Sequence, residues 1–323
     1  MWQRFKKTIR DSVKKILPSR RPDRQIQELQ FRLANLPYEI YDQVLHGTFT
    51  LTIPAIVNAA DTLAKILQDR SSLARFGDGE FSLMRGGDIH FQKTSPRLAQ
   101  KLKDVIASDM PGLLIGLPDC FGALEEFTPP VADFWRKWMA RKREAIYSHL
   151  TLDRVYYSAF FTRVYMPYVK TEARYRQCSA YFAQVKRLWA GRDVVICEGE
   201  GTRFGMFNDL LDGAASIRRI LCPARSAFDQ YDAIVSAVDA LDTNVLVLAA
   251  LGPTATVLAY DLCKKGFQTI DIGHLDVEYE WFLRKDTEGR PLAFKYVDGS
   301  DEGRKVHEVD SPEYEGQIIK KIV

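Results

Sequence analysis

Nowhere in the 323-residue sequence is there an uninterrupted apolar run near the ~18 to 20 residues that a helix needs to cross a bilayer. The basic N-terminus has neither the continuous apolar centre nor the small-residue cleavage site of a secretory signal. Cysteine is scarce: Cys120, Cys178, Cys197, Cys222 and Cys263 are scattered, mostly in apolar runs, with no CxxC pair. That spacing excludes a disulfide frame or a ribbon-type zinc site and reads as buried thiols in a reducing compartment, so a cytoplasmic protein is expected. A generally basic body is also lacking. Nine Lys or Arg stand against two Asp in residues 1–24, a surplus of seven where the whole chain is only +3, so the remainder is net negative. Nucleic acid is therefore not an expected partner. There is no Gly-Lys-Ser/Thr phosphate loop, no G-x-G-x-x-G fingerprint, no internal repeat and no low-complexity segment.

What is there is an ordinary 46 % hydrophobic share and enough length for a full α/β core with appendages. In residues 1–17, Trp2, Phe5, Ile9, Val13 and Ile16 recur at three- and four-residue steps among Lys and Arg, and Pro18 ends the pattern. This is a basic amphipathic helix, suited to an anionic membrane surface, to its own domain or to a second subunit of a homo-oligomer. A linker at 19–24 and a helical pattern over 25–36 follow. The spacing then predicts a helix over 54–68, a strand over 73–77, a helix over 96–106, a strand over 112–117, a helix over 130–147 and a strand over 155–161. From 193 to 273 strands (193–197, 218–222, 244–250, 267–272) alternate with helices (204–211, 227–241, 253–265). Such alternation implies right-handed βαβ units, a Rossmann-like mostly parallel sheet with helices on both faces, and ligands beyond the carboxyl ends of the strands.

The chemistry-bearing residues gather at those ends. Asp78-Gly79-Glu80 follows the strand at 73–77, and two carboxylates one glycine apart suit Mg²⁺ or Mn²⁺ against a diphosphate, although Asp-Gly is equally a favoured turn. Glu198 and Gly199 open a glycine-rich strand-to-helix loop ending in Arg203, with the acid placed for ribose hydroxyls and the arginine for phosphate. Gly252, Pro253 and Thr254 form a second such junction, where an N–H and a hydroxyl can meet an anion. His274 lies with Asp276, Glu278 and Glu280 just after a strand; it is a candidate third metal ligand, and Asp276 or Glu278 a candidate general base. If 273–281 is helical, Asp276 and Glu280 share a face. Arg75, Arg163 and Arg203 each flank a strand end, as diphosphate-binding arginines would.

In this order the blocks resemble the GT-D type glycosyltransferases of bacteria. The resemblance rests on Arg75 to Phe81, Phe91-Gln92, Gly116 to Asp119, Thr162 to Tyr165, Glu198-Gly199 with Arg203 to Gly205, Cys222-Pro223 with Ala227-Phe228, Leu251 to Leu262 and Asp271 to Trp281. It covers roughly 50–283, between an N-terminal extension (1–50) and a C-terminal tail (284–323). It implies a D-x-E motif that binds Mn²⁺ or Mg²⁺ with a nucleotide-sugar donor, usually a UDP-sugar. Asp78 and Glu80 would be the metal acids, His274 would join them, and Glu198 and Arg203 would lie in the donor site. A serine before the arginine is common in that family; here Thr162 and Thr202 stand instead.

The expectation is thus a metal-dependent transfer of sugar to a glycan, glycoprotein or lipid-linked acceptor in bacterial surface polysaccharide synthesis, peripheral on the inner membrane face. Inverting and retaining outcomes both stay open. The rivals are a phosphohydrolase or nucleotidyltransferase using the same carboxylates, a non-catalytic nucleotide-sugar-binding subunit, and a methyltransferase, which would leave Asp78 and Glu80 without a task.

Overall fold

A computed structural model describes residues 52–297, 303 and 305–322, with parts of 26–38. The amphipathic pattern of 1–17 lies outside these residues. The chain divides into two compact units, 1–52 with 129–143, and 53–128 with 144–323. In the first, the described residues of 26–38 are helical, and Arg141 Nη2 donates to Tyr38 Oη at 3.0 Å while the Lys137 ammonium stands over the Phe31 ring.

The second unit is built on nine strands, β1 (Ala55–Ile56), β2 (Ser72–Arg75), β3 (Leu113–Leu117), β4 (Val155–Ser158), β5 (Asp193–Gly199), β6 (Ser216–Cys222), β7 (Leu246–Ala250), β8 (Gln268–Asp271) and β9 (Ile318–Lys321). They lie in the order β1-β4-β3-β2-β8-β7-β5-β6-β9. Every pairing between these strands is parallel, which fulfils and exceeds the expected mostly parallel sheet. Among the described residues after 52 the helices are α1 (Ala59–Asp69), α2 (Asp78–Met84), α3 (Pro96–Ala107), α4 (Pro129–Tyr147, of which 129–143 belong to the first unit), α5 (Glu172–Val185), α6 (Tyr231–Asp239), α7 (Pro253–Lys264), α8 (Leu275–Leu283) and α9 (Pro312–Gln317). None of the described helices is long and apolar enough to cross a membrane.

Strand periodicity sorts the core into two layers. Leu73, Leu114, Val194, Ile196, Leu246, Leu248 and Ile270 join one buried cluster with Leu63 and Ile66 of α1, Phe182 and Val185 of α5, and Val277 of α8. Their alternating neighbours Ala74, Ile115, Val195 and Val247 are equally buried on the opposite face.

The structure departs from the sequence expectations at named places. The helix expected from residue 54 starts at Ala59, because Ala55 and Ile56 pair with β4 and Asn58 caps the helix by accepting from the Asp61 N–H at 2.9 Å. The strand expected to 161 ends at Ser158 and tightens into a 3-10 turn over Ala159–Thr162. The helix expected over 204–211 is absent. Arg203, Gly205 and Phe207 adopt positive φ, Leu211 packs where a Gly205 Cβ would stand, and the Asn208 side chain accepts from the Leu210 N–H at 3.0 Å in place of a helical carbonyl. Helix α5 had no counterpart in the sequence reading. Its buried residues Cys178, Tyr181, Phe182 and Val185 fall at helical steps, but they are diluted by polar neighbours. The expected tail 284–323 supplies α9 and the edge strand β9.

Candidate functional site

Parallel pairing aligns the carboxyl ends of β2, β3, β4 and β8, and the site grows from them. Arg75 closes β2. Its Nε donates to the Asp271 carbonyl at 2.9 Å, its Nη2 to Asp271 Oδ1 at 2.6 Å and its Nη1 to the Ala159 carbonyl at 3.3 Å. The expected phosphate arginine is thus a strut tying β2 to β8 and to the turn after β4. Burial raises the Asp271 carboxyl, and Arg75 opposes the rise. Thr256 Oγ1 on α7 donates to the Arg75 carbonyl at 2.9 Å.

Asp78-Gly79-Glu80 is the first turn of α2, not a free turn. Glu80 occupies the third helical position, where its Oε2 accepts from the Gly77 N–H at 2.7 Å. Burial first, then the Asp271 and Asp78 charges, push its carboxyl up to about 7. The Asp78 side chain keeps contact with solvent, yet the protein around it strips away enough water to raise its pKa, against the pull of backbone N–H groups and Arg163. Two repelling carboxylates, partly stripped of water, form a hard-oxygen donor pair that a divalent cation would relieve, so these residues fit Mn²⁺ or Mg²⁺. Among the described residues no group of three or more His, Cys, Asp or Glu is arranged to hold a metal unaided. A cation here would have to complete its shell from substrate oxygens and water, as Mg²⁺ sites commonly do.

His274 stands at the N-cap position of α8, where its side chain makes no capping hydrogen bond. Burial, followed by the charges of Arg163 and Arg75, drives its pKa down to about 3, so the imidazole is neutral. Arg163 follows the 3-10 turn, and its charge acts on Asp78, His274 and Glu278 together. Among the described residues its guanidinium makes no hydrogen bond, unlike those of Arg75 and Arg203.

The other expected residues are engaged elsewhere. Glu198 is wholly buried, accepting from Arg219 Nη1 at 2.6 Å, Tyr314 Oη at 3.1 Å and the Phe204 N–H at 2.7 Å. It organises the loop rather than offering oxygens to a ribose. Gly199 ends β5 with the Ala224 Cα close against it. Arg203 Nη1 donates to the Phe294 and His307 carbonyls, pinning the C-terminal segment. Gly252, Pro253 and Thr254 do start α7, but the Phe91 ring covers Gly252, and Thr254 Oγ1 donates to Gln92 Oε1 at 3.3 Å.

The stretch 273–281 is helical from Leu275 onward, and Asp276 and Glu280 share a face as that alternative required: Asn208 Nδ2 donates to both. Asp276 also pairs with buried Lys295 at 2.6 Å. Glu278 has no exposed surface; its Oε2 accepts from the Tyr165 and Met166 N–H groups, and its Oε1 has no hydrogen-bond partner among the described residues. Burial raises its pKa, with Arg163 opposing. As candidate bases both are corrected by their burial, which leaves neither a path to an acceptor hydroxyl. Sequence reasoning missed Asp271 as the partner of Arg75, although an acid at a strand end was the available signal. It also missed Lys295, Arg219 and Tyr314, whose roles arise only from distant packing.

The family described as glycosyltransferase GT-D fold matches residues 73–300. A Streptococcus gordonii protein named as a glycosyl transferase is 35 % identical over 271 residues, 83 % of this chain and 39 % of its own length. The glycosyltransferase GlyD of Streptococcus pneumoniae is 32 % identical over 320 residues, 99 % of this chain and 38 % of its own. The chain therefore spans about two fifths of these curated relatives. Among solved structures, a domain of unknown function 1792, described as having a distinct glycosyltransferase fold, superposes with a TM-score of 0.79 at 34 % identity, covering 84 % of this chain and 97 % of that one. A glycosyltransferase from Streptococcus sanguinis gives 0.79 at 33 %, covering 84 % and 100 %.

Proposed function

Because the chain belongs to the GT-D glycosyltransferase fold family, we propose that it transfers a sugar from a nucleotide-sugar, UDP-linked, to a glycan or lipid-linked acceptor, with Asp78 and Glu80 holding Mn²⁺ or Mg²⁺. The observation that carries this reading is the convergence of Asp78, Glu80, His274 and the unpaired Arg163 guanidinium on adjoining strand ends. When bound, the cation would supply Lewis-acid stabilisation of the departing diphosphate. Arg163 would share that negative charge through two N–H donors, at no cost in broken internal bonds. Neutral His274 is able to offer an N–H to a phosphate oxygen, since no triad of His274 with Asp78 and Glu80 is arranged to hold the metal among the described residues. Arg75 and Asp271 fix the distance between β2 and β8, so the carboxylates and the imidazole are positioned before the donor arrives. Asp276 and Glu278 hold the fold in this reading and take no proton.

Calorimetric titration of UDP with Mn²⁺ tests it. Wild type should bind, and Asp78→Ala and Glu80→Ala should each weaken binding by at least about tenfold. With UDP-glucose, released UDP supports transfer or hydrolysis at the anomeric carbon. Released inorganic phosphate would instead identify a phosphohydrolase.

A further inference from the structure

Between α1 and α5 runs a groove of about 1000 Å³ that the donor chemistry leaves unused. Its volume is at the upper end of small-molecule sites. Its long wall is one face of α1 from Ala59 to Gln68, ten residues and so about 15 Å of helix. Leu63, Leu67 and Ala64 give an apolar wall, while Gln68 and Gln177 bring side-chain amides that make no hydrogen bond among the described residues. Apolar carbon flanked by free amides suits a sugar ring, whose C–H face and hydroxyl edge need both; a lipid chain would leave the amides unsatisfied.

The position of one end matters more than the lining. Arg75 of β2 pairs in register with Gly116 of β3. Asp78 and Asp119 each follow within three residues, so the two acids leave the carboxyl ends of neighbouring parallel strands. Asp119 lines the groove. Its carboxylate makes no hydrogen bond or ion pair among the described residues, whereas Glu126 beside it is taken by Arg174 at 2.9 Å. One stretch of chain touches both places: Val164 lines the groove, and the charge of Arg163 next to it acts on Asp78 and His274.

We infer that this groove receives the saccharide that accepts the transferred sugar, with Asp119 at its mouth taking the hydrogen bond of the attacking hydroxyl. The inference rests on the proposed transferase reading and adds the acceptor's place to it. In the transfer, the acceptor oxygen bonds to the anomeric carbon as the bond from that carbon to the donor's diphosphate oxygen breaks. The diphosphate leaves with the electron pair, and the hydroxyl proton passes to Asp119. Burial, together with the neighbouring Glu126, raises the Asp119 pKa and so strengthens it as a proton acceptor. The donor then approaches from the β8 side and the acceptor from the β3 and β4 side, with Asp78 and Glu80 between them.

The test uses the full chain carrying UDP and Mn²⁺, with ¹³C-labelled Leu and Val methyl groups, titrated with lactose, maltose, cellobiose and N,N′-diacetylchitobiose. Shifts at Leu63, Leu67 and Val164 with at least one disaccharide are expected. Asp119→Asn should weaken that binding about tenfold, the scale of one hydrogen bond to a charged group. Ala64→Trp, on the exposed face of α1, should abolish it by filling the groove. No response at these methyls to any of the four sugars, or a response that both variants leave intact, overturns the inference. Failure of UDP itself to bind with Mn²⁺ sinks the transferase reading instead, and the two failures are read in separate titrations.

Discussion

The Arg75 guanidinium lies directly over the Cα of Gly273: a Cβ built on that glycine would stand 2.1 Å from Nη2. Gly273 also has φ +45°, a conformation that disfavours a side chain. The strut between β2 and β8 therefore depends on a residue that contributes no atoms to it. Gly273→Ala should displace Arg75 from Asp271 and lower stability by about 2–4 kcal/mol, combining left-handed strain with a broken buried pair. Urea denaturation would show this, and an unchanged midpoint would count against the strut.

Glu278 is a clamp by the same kind of logic. One carboxylate oxygen takes the N–H groups of both Tyr165 and Met166, two and three residues after Arg163. Glu278→Ala orphans two buried donors and should cost about 2–4 kcal/mol. Glu278→Gln keeps an acceptor there and should cost far less. Chemical denaturation of the pair separates a clamp from a base, because a base would lose activity in both variants.

The neutral His274 predicts an acid sensitivity. Its folded pKa is about 3, well below the usual value of 6.5. Between these values the unfolded chain binds a proton that the folded chain refuses, so stability falls as pH falls through that window. The loss reaches at most about 2 kcal/mol at pH 5. The drop in urea midpoint from pH 7 to pH 5 should be smaller in His274→Gln than in wild type.

Arg163 and Arg203 were equivalent in sequence and are not equivalent in space. Arg163→Ala should weaken UDP binding roughly ten- to hundredfold, the scale of charge-assisted hydrogen bonds to phosphate. Arg203→Ala should leave it within about a factor of two while speeding hydrogen exchange next to Phe294 and His307, whose carbonyls it holds. Calorimetry and exchange mass spectrometry read the two effects separately.

Deleting residues 1–17 should abolish flotation with anionic vesicles while leaving UDP affinity unchanged. Flotation that survives the deletion would dismiss the membrane role of that segment.

How much of this was legible beforehand follows a physical divide. Strand–helix alternation fixes the parallel sheet and its ligand-bearing end, so Asp78, Glu80, Arg163 and His274 could be placed at strand ends from local pattern alone. What local pattern does not carry is which charged groups pair with one another. Glu198 and Asp276 look like site acids in sequence, and they become fold-holding acids only because Arg219 and Lys295 arrive from elsewhere in the chain. The stretch 204–211 reads as a helix in sequence, but positive φ at Arg203, Gly205 and Phe207 decides otherwise.

Strand β9 has a consequence for synthesis. Its partner β6 ends at Cys222, while β9 begins only at Ile318. At about 5–20 residues per second the ribosome would need roughly 5 to 20 s to deliver the missing strand. Throughout that interval one side of β6 is a bare row of amides and carbonyls, open to a neighbouring nascent chain.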